Sequence, residues 1–171
     1  MDPVKPDQDK EKLAEQYDKF VKMAHEFYTA GRDMSQEALS VAVSKTRAQM
    51  TALGELSADQ ASSFANYMKR DLEQTAEDVT RMGENAKEHL SPRRIGAGAL
   101  SSLASLLQTG ADSLRNLAGT PASPRTYNTG EVTSAGTLTC TACRHQEQFS
   151  KTGVVPTCSN CRGTVFEKLG E

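Results

Sequence analysis

The sequence predicts a mainly α protein: an antiparallel, coiled-coil-like helical bundle over residues 8–118, a linker over 119–129 and a small C-terminal β zinc ribbon over 130–171. Three observations carry this reading. Apolar residues recur every three or four positions through most of the first 118 residues, the period of a helix with one buried face. That period stops at TPASPRTYNTG, a stretch of turn and linker residues. Beyond it lie all four cysteines of the chain, in the pattern C-x2-C-x14-C-x2-C.

The first helix is expected over about 8–30, where Leu13, Tyr17, Phe20, Ala24 and Phe27 draw one apolar stripe and Gly31 supplies the stop. A second, over about 35–53, carries Leu39, Val43, Thr46, Met50 and Leu53, with Gly54 after it. Ser57 opens the third, over about 58–90, and Gln60 stands where the reciprocal partner of a capping box belongs. Its stripe runs through Phe64, Met68, Leu72, Thr75, Val79, Met82 and Ala86 to a stop at Pro92. Matching stripes and short connections predict that the three pack antiparallel. Tyr28 and Tyr67 are expected at stripe edges with their hydroxyls in water.

The fourth segment, over about 96–118, differs. Leu100, Leu103, Leu107, Ala111, Leu114 and Ala118 form its stripe, and the opposite face is Ser101, Ser105, Gln108, Thr109, Asp112 and Asn116, almost free of charge. Such a helix suits burial between protein surfaces, where charge is costly to desolvate. Folding back on the bundle fits, but self-association through Leu100, Leu103, Leu107 and Leu114, or docking of a protein partner, is the expected role beyond mere closure of the bundle. Contact of residues 95–118 with a membrane surface is the weakest reading, because interfacial helices usually carry Lys or Arg on the polar face.

Short β-type runs at Gly136–Thr139, Gln146–Ser150 and Thr164–Lys168 frame the cysteines. Each C-x2-C turn presents two sulfurs to one ion, and two such turns between strands complete a tetrahedral shell. Cys140, Cys143, Cys158 and Cys161 are therefore the predicted ligands of one structural Zn2+. A single iron of the rubredoxin type would use the same ligands, but the apolar shell it wants is thin, since Thr141, Ala142, Ser159 and Asn160 fill the turns. Disulfide pairing is the third reading, disfavoured in a reducing compartment. Few large apolar residues surround the site, so the metal is expected to complete the ribbon core.

Composition excludes several functions. The chain carries net charge −2, with 12 Lys+Arg against 17 Asp+Glu in residues 1–90 and 8 against 5 in residues 91–171. Residues 126–171 set Arg144, Lys151, Arg162 and Lys168 against Glu131, Glu147, Glu167 and Glu171, a sum of zero. A surface that grips phosphates should be basic, so direct nucleic-acid binding is not expected. The charged start MDPVKPDQDKEKLAEQ lacks the apolar core of a secretory signal, and no apolar run spans a bilayer, so a cytoplasmic location is expected. No nucleophile with a base, phosphate-binding glycine loop or open metal position is evident, and an enzyme is not predicted. His25 and His89 read as helix-surface residues, His145 as a solvated strand residue, and Asp71, between Arg70 and Glu73, as the solvated face of the third helix.

Thr129-Gly130-Glu131-Val132, Gly136, Leu138 and Cys140-Thr-Ala-Cys143 resemble the approach to the first metal turn in the YbeL-like bacterial zinc-ribbon proteins. Gly54-Glu55-Leu56-Ser57 and Arg70-Asp71-Leu72-Glu73 resemble the central helix of that family, so the likeness covers roughly residues 10–171. One departure is the second turn, Cys158-Ser-Asn-Cys161, which lacks the Pro often found after the third cysteine. The resemblance implies a cytoplasmic bacterial protein with a helical part and a zinc ribbon; it implies no activity. The expected function is a non-enzymatic interaction or adaptor protein with an unidentified protein partner, its two parts joined by the linker. A regulatory factor that binds a protein of the transcription or translation machinery is the alternative, by fold-level analogy.

Overall fold

The structure, a computed structural model, describes residues 6–82, 98–110 and 126–168. Within them the chain is mainly α, with helices α1 (Pro6–Ala30), α2 (Gln36–Ala52), α3 (Ala58–Met82) and α4 (Ala99–Thr109) preceding a β ribbon. The boundaries follow local chemistry. Ser35 accepts the Ala38 amide at the start of α2. At its end Gly54, with φ of +70°, lets the Glu55 amide reach Met50 O and the Gly54 amide reach Thr51 O, a Schellman closure. The capping box opens α3: the Gln60 amide bonds Ser57 Oγ at 3.2 Å and the Ser57 amide bonds Gln60 Oε1 at 2.9 Å.

The stripes meet as expected. Tyr17, Phe20 and Ala24 of α1, Leu39, Thr46 and Met50 of α2, and Phe64, Met68, Leu72 and Thr75 of α3 are buried. Phe64 sits at the centre, edge-on to Tyr17 at 5.4 Å and to Phe20 at 5.9 Å between centroids. Val43 is only half-buried, and Leu53, in the closing turn of α2, is exposed. Tyr28 departs from expectation: it is buried, and its hydroxyl donates to the Met34 carbonyl at 2.5 Å. Its hydroxyl is satisfied by the turn after α1, so the ring needs no contact with water.

Helix α4 folds back against α1 and α3, and Ala99, Leu103, Ala104, Leu106 and Leu107 are buried there. Leu103 and Leu107 are thus occupied within the chain, and Leu100 is half-buried. Self-association through Leu103 and Leu107 would require α4 to leave the bundle. Leu106, absent from the expected stripe, is fully buried because α4 lies between two helices and so hides a broader face. Expected features at 83–90 (with Ala86 and His89), 92, 111–118 (with Ala111, Leu114 and Ala118) and 119–125 lie outside the described residues. No helix among the described residues is long and apolar enough to cross a membrane.

Among the described residues the ribbon has six strands: β1 (Thr126–Asn128), β2 (Val132–Thr133), β3 (Gly136–Cys140), β4 (Gln146–Phe149), β5 (Gly153–Val154) and β6 (Val165–Lys168). One antiparallel sheet has the order β1-β6-β3-β4, and β2 pairs with β5 in a second, two-stranded sheet. Strand β1 occupies residues assigned by sequence to the linker, because Tyr127 pairs with Phe166 and both rings fill the ribbon core. The ribbon does not stand apart from the bundle either. Its β2–β5 sheet lies against α1, and Val132 is fully buried in the helical core with Val154 packed beside it. An apolar sheet of two strands cannot cover its own face, so the helices cover it.

Candidate metal centre and its anchorage

Each C-x2-C segment folds as the same turn. The Cys140 amide donates to His145 O and the Arg144 amide to Cys140 O, at 2.8 and 2.9 Å; the Cys158 amide donates to Gly163 O and the Arg162 amide to Cys158 O, both at 2.9 Å. Arg144 and Arg162, one residue past the second cysteine of each turn, take left-handed φ values of 62° and 60°. Such conformations cost a non-glycine residue about 1 kcal/mol, and two matched turns hold them in place.

The two turns bring all four sulfurs within 4.8 Å of one another. Cys140 Sγ lies 3.6 Å from Cys161 Sγ, and Cys143 Sγ lies 3.6 Å from Cys158 Sγ. Disulfide sulfurs sit about 2.05 Å apart, so these are free thiols. A tetrahedron with metal–sulfur bonds of about 2.3 Å has an edge of about 3.8 Å, so the donor set fits one tetrahedral ion. Burial falls from Cys140 and Cys158, inside, to half-buried Cys143 and exposed Cys161.

Hydrogen bonds around the cluster set the acidities of Cys143 and Cys161 apart. Cys143 is held down to about 6 by the Asn160 side chain and the His145 backbone. Cys161 is pushed up to about 12: the Gly163 amide favours its thiolate, but hydrogen shared with Cys143, burial, and hydrogen shared with Cys140 and Cys158 outweigh that amide. Four thiolates so close repel one another, and a divalent cation removes that obstacle. Gly163 keeps the space clear, since a Cβ there would stand 3.1 Å from Cys140 Sγ and 3.2 Å from Cys161 Sγ.

His145 is exposed and is not a fifth ligand. Its Nε2 lies 2.9 Å from Ser159 Oγ, which donates to Glu147 Oε1 at 2.6 Å. The Ser159 amide also reaches Glu147, so one carboxylate ties the first turn to the second. The Ser159 hydroxyl and amide, with the nearby imidazole, hold the Glu147 carboxyl below the usual carboxylate range. His25, expected on the helix surface, is half-buried, and its Nε2 has no hydrogen-bond partner among the described residues.

Asp71 departs most from the sequence reading. It is fully buried: its Oδ2 accepts the Tyr17 hydroxyl at 3.1 Å and the Ser134 amide at 2.8 Å. Burial, with Asp71 beside it, raises the Tyr17 hydroxyl far above its usual range, so it stays a donor. Arg70 turns toward the ribbon. Its guanidinium pairs with Glu131, donates to Val132 O at 2.8 Å, and stacks 3.8 Å from the Tyr127 ring and 5.0 Å from the Tyr67 ring. Lys168 Nζ bonds Ser134 O and Oγ, both at 3.1 Å, and Gly136 makes room, since a Cβ there would strike the lysine stem. A second tie joins α1 to both neighbours: Asp18 Oδ1 accepts the Ala99 amide at 2.6 Å and the Thr152 hydroxyl.

The zinc-ribbon containing domain, a family model, matches residues 9–169. The chain belongs to that family. The match takes in the helices as well as the ribbon and is not confined to the cysteine turns. No curated protein and no solved structure matches the chain.

Proposed function

We propose that this member of the family is a non-enzymatic zinc-binding adaptor, held in shape by one structural Zn2+ on Cys140, Cys143, Cys158 and Cys161. The observation that carries this reading is the closed donor set: four thiols within 4.8 Å, which leave a tetrahedral ion no position for substrate or water. A closed shell supports a structural role, and what the metal shapes is a surface. Zinc is favoured over iron because polar residues surround the sulfurs and Cys161 is exposed. The likeness to the YbeL-like proteins favours the bacterial cytoplasm, whose reducing conditions keep such thiols available. The partner is a protein, since the ribbon carries no excess of positive charge for a nucleic acid.

Elemental analysis of protein purified without added metal, joined to affinity capture from the native cell, tests this. One zinc per chain, and a defined protein captured by the native chain but lost with Cys140→Ser, is the expected result. Near-stoichiometric iron with visible absorption would overturn the structural-zinc role. Capture of the same protein by Cys140→Ser would overturn the metal-shaped surface.

A further inference from the structure

Helix α4 cannot cap its own start. Gly98 at its N-cap has no side chain to give, and the first amide, on Ala99, bonds instead to Asp18 Oδ1 of α1. That same oxygen accepts the Thr152 hydroxyl from the turn between β4 and β5 of the ribbon, where Thr152 is 5% exposed. One oxygen of Asp18 thus holds the start of α4 and a ribbon residue together. On the neighbouring helix the buried Asp71 carboxylate is satisfied by the ribbon's Ser134 amide as well as by Tyr17. Without the ribbon, a buried carboxylate loses a backbone donor, which low-dielectric surroundings make costly. Val132 completes the contact by filling the helical core beside these two anchors.

We infer that metal binding at the ribbon latches the helical bundle: the metal-held ribbon supplies Thr152 to Asp18 and Ser134 to Asp71, and its loss unseats α4. The chain is then a metal-dependent latch, closed when loaded and loosened at the α1–α4 contact when stripped. The ribbon is small and has few large buried side chains of its own, namely Tyr127, Leu138, Val155 and Phe166 beside the cysteines. A core of that size depends on its metal. Loss of the ion therefore reaches the helices through two hydrogen-bonded carboxylates and one valine. This inference rests on the metal occupancy proposed above.

The experiment uses the full chain, loaded with one Zn2+ or stripped by a chelator, with metal content measured in each sample. Two readouts follow it: the midpoint of helical thermal unfolding by circular dichroism, and hydrogen exchange of the first amides of α4. Stripping is expected to lower the midpoint by about 4 °C or more and to speed exchange at Ala99–Leu103 by about tenfold or more. Thr152→Val and Asp71→Asn, still loaded with one zinc, should already show part of that loss and respond less to the chelator. Should Asp71→Asn not fold, Thr152→Val, which alters one hydroxyl of a turn, decides. Midpoint and exchange that ignore the metal in the native chain overturn the latch while leaving the zinc site intact. Full native responses in Thr152→Val overturn it equally. A chain that takes up no zinc overturns both this inference and the proposed function.

Discussion

Asp71, in the middle of α3, accepts the backbone amide of Ser134 at 2.8 Å from a fully buried position, across 63 residues of chain. Asp71→Ala removes an acceptor that two buried donors require, and a cost of about 3–5 kcal/mol is expected, as for breaking one side of a buried charged cluster. Asp71→Asn, which keeps one acceptor oxygen, should cost less. Denaturant unfolding of the three proteins, followed by helical signal, gives the order native, Asn, Ala.

Arg70 reaches the ribbon with a planar group that stacks on Tyr127 while bonding Val132 O and Glu131. Lysine can carry the charge but not the stack and the fork together. Arg70→Lys is therefore expected to lower stability by about 1–2 kcal/mol. Equal midpoints for the two proteins would show that charge alone makes the contact.

Gly163 stands where a methyl group would press on Cys140 Sγ and Cys161 Sγ. Metal-bound sulfurs cannot give way, so Gly163→Ala should weaken zinc binding by about tenfold or more. Competition with a chromogenic chelator measures it, and the helices should stay folded at saturating zinc.

Glu147 supplies the pH prediction. Its carboxyl is held below the usual carboxylate range by Ser159, so the folded-state value lies beneath the unfolded one. The brace it forms contributes fully above the unfolded value, near 4.3 by a rough reference, and fades as pH falls through the lower folded value. Zinc retention at mildly acid pH should then be poorer in Glu147→Gln than in the native chain, and the gap should close at still lower pH. An identical retention profile for both proteins would remove the carboxylate brace.

Leu103 is fully buried between α1 and α3. Leu103→Ala should cost about 2–5 kcal/mol, and Leu103→Glu with Leu107→Glu should destabilise the bundle of a single chain. Light scattering joined to thermal unfolding separates this from an interface role, where mass would fall while the helices kept their midpoint.

The helices were legible because their signals are local. Ser57 and Gln60 cap each other within one turn, Gly54 closes α2 over three residues, and the stripe through Phe64 and Met68 needs only the helical period. The clustering of the four cysteines was legible for a similar reason: each C-x2-C turn is set by bonds spanning four or five residues. Asp71 was misread because its charge suggested water. Its position held the contrary signal, three residues after Met68 and four before Thr75, on the rhythm of the buried stripe. A carboxylate on that rhythm needs a distant donor, and nothing near it in sequence names Ser134. Strands β1, β2 and β5 were missed because two or three residues give no period to read, and their partners lie far along the chain.

Sequence alone determined that this protein is a run of amphipathic helices followed by four thiols at the spacing of one tetrahedral ion. Both properties are written in neighbours a few residues apart, where chain geometry leaves little choice. Only the tertiary structure decided that the ribbon is part of the bundle, that α4 is buried within its own chain, and that Asp18 and Asp71 hold the parts together. The hydrogen bonds that Asp18 and Asp71 make across these parts join residues 63 to 134 positions apart. Their worth depends on burial, which turns an ordinary surface carboxylate into one that must find its donors across the fold.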